Sequence, residues 1–87
     1  MVWKAALQGN SNAQFFLGGM YFSGNGIPKD DIMSYVYFNI SASDGNADAA
    51  KYRDKLQNKM TPSQLKKAQE LSREIFKLIK EHKKWFY

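Results

Sequence analysis

Along the C-terminal third of the chain, apolar residues recur at Leu65, Ala68, Leu71, Ile75, Leu78 and Ile79, while Lys66, Lys67, Glu70, Glu74, Lys77 and Lys80 fall mostly elsewhere around the turn. Three- and four-residue spacing of this kind describes an amphipathic helix with one docking face and a solvated remainder. Its start is marked by Thr61-Pro62-Ser63-Gln64, which supplies a capping hydroxyl, a proline at the first helical position and a glutamine three residues after the cap. The pattern predicts a helix over about 62 to 84. A different pattern marks the stretch from about 30 to 43, where Ile32, Met33, Tyr35, Val36, Tyr37, Phe38, Ile40 and Ala42 spread apolar character around most of the circumference. Such a helix needs neighbours on two sides. A broken helix at about 1 to 8 and helices at about 12 to 23 and 47 to 59 complete the reading. No segment reads as a strand, so the expected fold class is all-α with about five helices.

The chain repeats itself. Ala6-Leu7-Gln8-Gly9-Asn10-Ser11-Asn12-Ala13 superposes on Ala42-Ser43-Asp44-Gly45-Asn46-Ala47-Asp48-Ala49 at an offset of 36 residues. Gly tolerates the left-handed conformation that ends a helix, and Asn or Asp caps the next one, so each copy predicts a tight turn between antiparallel helices. Between the copies, Ser23-Gly24-Asn25-Gly26-Ile27-Pro28-Lys29-Asp30-Asp31 predicts a second kind of turn, with paired glycines for the reversal and acidic residues at a helix start.

Ala13-Gln14-Phe15-Phe16-Leu17-Gly18-Gly19-Met20-Tyr21-Phe22-Ser23-Gly24-Asn25-Gly26-Ile27-Pro28-Lys29-Asp30 resembles the Sel-one-like repeat, a relative of the tetratricopeptide repeat. The likeness continues through Ser34, Tyr37-Phe38, Ser41-Ala42 and Gly45, and residues 47 to 69 look like the terminal unit that ends such arrays. It implies one domain over 1–87: a truncated half repeat (1–9), a full repeat (10–45), a terminal repeat helix (46–60), then a capping helix and aromatic tail (61–87). The implied architecture is a fragment of an α-solenoid made of antiparallel helix-turn-helix repeats, and the implied role is a scaffold that holds partner proteins. Ser34 and Ser41 stand where the family usually has Ala; each hydroxyl then needs a partner, such as the carbonyl four residues back. Gly18 and Gly19 inside a helix cost roughly 2 kcal/mol relative to Ala, which a close helix crossing at Gly18 would offset. Met1 begins inside what should be the second helix of an earlier unit. The expectation is therefore either a piece of a longer array or an open N-terminal edge near Trp3 that meets a partner, a second copy of the chain included.

Composition narrows these readings. The 87 residues are 44% hydrophobic and 15% aromatic, enough apolar surface to exclude a disordered tail, and they contain no cysteine. Helix packing must then carry stability without disulfides or thiolate metal sites. No apolar run approaches the roughly 20 residues of a membrane span, and the start lacks a basic segment followed by an apolar one. A soluble chain without a signal or transmembrane segment is expected. The net charge of +5 is uneven: two lysines against four aspartates give −2 over residues 1–50, so residues 51–87 carry +7. That half suits either a solvated lysine-rich helix or contact with nucleic acid or an acidic membrane surface. Glu70, Glu74 and Glu81, interleaved with its cations, disfavour both of the latter partners.

Catalytic chemistry finds little support. One histidine, no cysteine and acids strung along turns offer no nucleophile and base pair. Asp30 and Asp31 read as helix-start acids rather than a carboxylate dyad, and His82 stands among Lys80, Lys83 and Lys84, a poor metal environment. No enzyme activity, cofactor or metal is expected. The aromatics are more informative. Phe15, Tyr21, Tyr37 and Phe38 read as core, whereas Phe16 and Phe22 occupy positions that are commonly polar in the family. They either anchor a partner on a concave face or pack under the long terminal helix. Trp85, Phe86 and Tyr87 cannot all face one stripe, so they fold back, dock into another chain, or insert at a membrane interface. The function expected is a non-catalytic protein-protein interaction module, more narrowly an adaptor or an immunity factor against a bacterial toxin, with Phe16, Phe22, Trp3, Trp85, Phe86 and Tyr87 as candidate partner-binding residues.

Overall fold

The computed structural model describes residues 2–85, without the side chains of residues 2, 3, 7 and 82–85. Five helices follow one another: α1 (Val2–Leu7), α2 (Ser11–Ser23), α3 (Asp31–Ser43), α4 (Ala47–Lys59) and α5 (Pro62–Trp85). There is no strand among the described residues. The chain is all-α, as its periodicity predicts. Its radius of gyration of 12.2 Å matches the value of about 12 Å for a compact domain of this length, so the helices gather around one centre.

The internal repeat shows at the two tight corners as the same pair of backbone hydrogen bonds and the same side-chain cap. After α1, Gly9 takes φ 89°, its N–H donates to Ala6 O (3.1 Å), and Asn10 N–H donates to Ala5 O (3.0 Å). After α3, Gly45 takes φ 96°, its N–H donates to Ala42 O (3.0 Å), and Asn46 N–H donates to Ser41 O (3.2 Å). This pair of bonds is a Schellman motif, which satisfies carbonyls the helix end leaves open. In both copies the asparagine then turns extended and caps the next helix: Asn10 Oδ1 accepts from Ala13 N–H at 3.0 Å and Asn46 Oδ1 from Ala49 N–H at 2.9 Å. Asp30 does the same for α3, accepting from Met33 N–H at 3.1 Å, so the helix starts one residue later than its acidic run suggests.

α3 is the central element. One face packs Tyr37 with Ala6 and Leu17 of the first two helices. A second places Tyr35 and Phe38 against Ala49 and Leu56 of α4 and Ala68 of α5. A third sets Val36 and Ile40 on Ile79, flanked by Leu71 and Ile75. The apolar circumference thus has three neighbouring faces, one more than the sequence pattern requires.

α2 and α3 approach closely because small residues line their contact. A Cβ added at Gly18 would lie 2.6 Å from the Phe38 ring, whereas one at Gly19 would meet nothing within 4 Å. The serine hydroxyls do not bond four residues back as expected. Ser34 Oγ donates to Gly18 O at 2.7 Å and Ser41 Oγ to Ser11 O at 2.8 Å. Donors seven residues apart on α3 meet acceptors seven apart on α2, the register of an antiparallel pair. The cross-helix bond wins because both serines are fully buried at the crossing, where the facing carbonyl lies within reach.

Candidate functional site

The aromatic residues singled out by sequence separate in space. Phe16 is 60% exposed while its neighbours Phe15 and Leu17 pack into two different apolar clusters. Phe22 is half-buried. Its ring meets Tyr52 of α4 edge-on, with centroids 6.2 Å apart, and the ammonium groups of Lys29 and Lys59 stand 4.9 and 5.2 Å from its centroid. Six residues apart on one helix, Phe16 and Phe22 cannot share a face. Of the two alternatives for this pair, Phe16 takes solvent exposure. Phe22 takes packing, against Tyr52 of α4 and the apolar cluster that includes Leu56 of α4 and Ala68 of α5. Trp3 and Trp85 lie outside the described side chains, and Phe86 and Tyr87 lie outside the described residues.

The lysines around Phe22 are held in place. Lys29 Nζ donates to Phe22 O at 2.6 Å, near the C-terminus of α2, and to Asp31 Oδ1 at 3.1 Å. Lys59 reaches the other oxygen of Asp31 at 3.8 Å. Asp31 therefore belongs to an ion-pair bridge between the turn and α4, while Asp30 is the cap of α3. Among the described residues no three His, Cys, Asp or Glu side chains gather to hold a metal, and no helix is long and apolar enough to cross a membrane.

Tyr21 and Tyr37 stack at 6.0 Å with ring planes 2° apart. Burial pushes the Tyr37 phenol above 10.0, with the charge of an ionised Tyr21 adding to it. Burial likewise raises Tyr21, with the Asp30 carboxylate as the smaller cause. Both phenols are neutral parts of the packing between α2 and α3.

The structure also contains a groove that no sequence pattern announces. A depression of about 490 Å³ runs between α3 and α5, walled by Tyr35, Asn39 and Ile40 on one side and Gln69, Arg73 and Phe76 on the other. α4 reaches its edge through Arg53, whose Nη1 donates to Asn39 Oδ1 at 3.2 Å. Further along α5, Leu78 is 55% exposed. The periodicity of α5 assigned Leu78 to the docking face, and its flanking position leaves it uncovered. Asn39, Gln69 and Arg73 carry no signal in a single sequence, because exposed polar residues on amphipathic helices are the common case.

Compared with known proteins, the chain matches no family model and shows no significant similarity to a curated protein.

Proposed function

We propose that the chain is a non-catalytic protein-interaction module of the Sel-one-like, tetratricopeptide-related kind, acting as a scaffold, adaptor or immunity factor. The observation that carries this reading is Phe16, a large ring left 60% exposed on a helix whose Phe15, Leu17 and Phe22 pack into the core clusters. Aromatic side chains dominate the energetics of protein interfaces when a partner covers them. The repeated corner geometry at Gly9-Asn10 and Gly45-Asn46 supports the repeat character, and repeats of helix hairpins present extended binding surfaces. A second copy of the chain is one candidate partner, through the edge formed by α1.

The alternative reading assigns the anionic partner, nucleic acid or acidic lipid, to α5. It draws on Lys66, Arg73 and Lys80, which recur every seven residues and so share one side of the helix.

Affinity purification with the wild-type chain and Phe16→Glu as baits tests the leading reading. Proteins captured by the first and lost from the second are the expected result. Recovery of no protein above background would remove the interaction reading, and an unchanged set would remove Phe16 from it. Light scattering reports self-association directly, and nucleic-acid or vesicle binding at low salt, where phosphate contacts are strongest, would favour α5 as an anion-binding helix.

A further inference from the structure

Resting on the protein-interaction reading, we propose that the groove between α3 and α5 receives an acidic, partly apolar peptide segment of a partner protein, with Arg73 as the principal carboxylate anchor. Some of the polar atoms around the groove are already used by the fold. Ser43 and Ser72 border the groove, but their hydroxyls donate to Ile40 O (2.7 Å) and Ala68 O (2.8 Å). Asn39 has its oxygen occupied by Arg53, which leaves the amide N–H₂ to donate. Gln69 and the Arg73 guanidinium have no hydrogen-bond or ion-pair partner among the described residues. No carboxylate lines the groove. Its unspent chemistry is therefore rich in N–H donors and carries positive charge, and the complementary ligand is rich in acceptors and negative.

Arginine is suited to that task because its planar fork pairs both oxygens of a carboxylate at once. Lys66 and Lys80 extend the same side of α5, one on each side of Arg73 along the helix. The Arg53 guanidinium adds charge at the opposite edge, although Asp54 accepts one of its hydrogens at 3.2 Å. The Tyr35 ring and the Ile40 side chain give the α3 wall apolar surface, and Phe76 contributes a ring that is 38% exposed. An aliphatic or aromatic side chain fits beside the acidic one. The volume, about 490 Å³, lies within the range of roughly 300 to 1,000 Å³ typical of sites that bury a compact ligand.

A peptide fits this lining better than a nucleic-acid strand. Single-stranded binding depends on aromatic faces open to stacking, and one face of Phe76 is already covered by Lys80 Nζ, 4.7 Å from the ring centroid. A backbone of closely spaced phosphates following α5 would also meet Glu70, about one turn before Arg73, and Glu74, the residue after it. A peptide places its carboxylates only where the cations are, and its main chain offers donors and acceptors to the Asn39 and Gln69 amides.

The test is a nuclear magnetic resonance titration of the full, isotope-labelled chain with three probes. The first is a short synthetic peptide alternating Glu with Leu and Tyr; the second is the same peptide with Lys for Glu; the third is an oligothymidylate of equal negative charge. The acidic peptide is expected to shift the Asn39 and Gln69 side-chain amides to saturation, and Arg73→Gln to weaken it roughly tenfold, the effect of losing a charged hydrogen bond. Lys67→Gln, on the opposite flank of α5, is expected to leave the affinity unchanged. Arg73 is exposed, so the melting temperature of Arg73→Gln should match the wild type and separate lost binding from lost folding. The proposal is overturned by absence of groove shifts with the acidic peptide, by equal weakening in Arg73→Gln and Lys67→Gln, or by oligothymidylate binding the groove as tightly as the peptide. Cellular partners that the wild type and Arg73→Gln capture equally would sink the groove assignment while leaving the interaction module intact; only the absence of any partner removes both.

Discussion

Gly18 and Gly19 are adjacent, chemically identical and equally unfavourable to a helix, yet the fold uses only one of them. Gly18 admits the Phe38 ring and presents its carbonyl to Ser34, so a methyl group there would press on a ring that is 2% exposed and has little room to retreat. Overpacking of this kind costs typically 1–3 kcal/mol, more than the roughly 1 kcal/mol that alanine returns in helix propensity. Gly19 faces open space and keeps only the penalty. Thermal melts should separate the two: Gly18→Ala lowers the midpoint, while Gly19→Ala raises it by about 4–8 °C for up to 1 kcal/mol gained. A Gly18→Ala variant at least as stable as wild type would show that the crossing does not require glycine. At this scale the sequence flagged both glycines and pointed to a crossing at Gly18, and the structure supplies the Phe38 ring that makes the crossing close.

The elements were legible to within a residue or so because local chemistry terminates them. α5 is the clearest case: Gln64 N–H donates to Thr61 Oγ1 at 3.1 Å and Thr61 N–H donates to Gln64 Oε1 at 3.0 Å, a reciprocal capping box. With no acidic residue in the first turn of α5, the helix dipole there receives no charge and the neutral cap carries the start. Thr61→Ala is expected to destabilise the chain by about 1 kcal/mol. Hydrogen exchange should localise the effect, with the Gln64 amide exchanging faster and the amides around Ile79 unchanged apart from the global shift. Uniform acceleration throughout the chain would place the role of Thr61 elsewhere. The serines of α3 teach the opposite lesson, since their bonding partners lie 16 and 30 residues away and no local rule points to them.

For the whole molecule, stability depends on α3 being covered on three faces. Val36 is fully buried and Ile40 nearly so, and α5 supplies Ile79, Leu71 and Ile75 to that face. Exposing such side chains forfeits about 1.5–3 kcal/mol each, a large fraction of what a domain this small possesses. A chain ending at Met60 is therefore expected to lose cooperative unfolding, with circular dichroism showing reduced helix per residue and no sharp thermal transition. A cooperative melt from the truncated chain would show that α1 to α4 hold their own core. The same dependence explains the groove. α5 lies along α3 to cover Val36 and Ile40, and the flank carrying Gln69, Arg73 and Phe76 is left facing Asn39.

The all-α class, the five helices, the corners at Gly9 and Gly45, the capping box and the central place of α3 are all legible in the chain's own pattern. Each of these follows from neighbours within a few residues or from a periodicity that survives without knowing what packs where. The rest follows from how the helices pack: Phe22 is half-covered by Tyr52 and two lysines while Phe16 is not, Ser34 and Ser41 bond across helices, and Arg73, Asn39 and Gln69 face one groove. Those outcomes depend on the relative placement of helices distant in sequence, which the buried volumes at Gly18, Phe38 and Ala68 set and which no local pattern encodes.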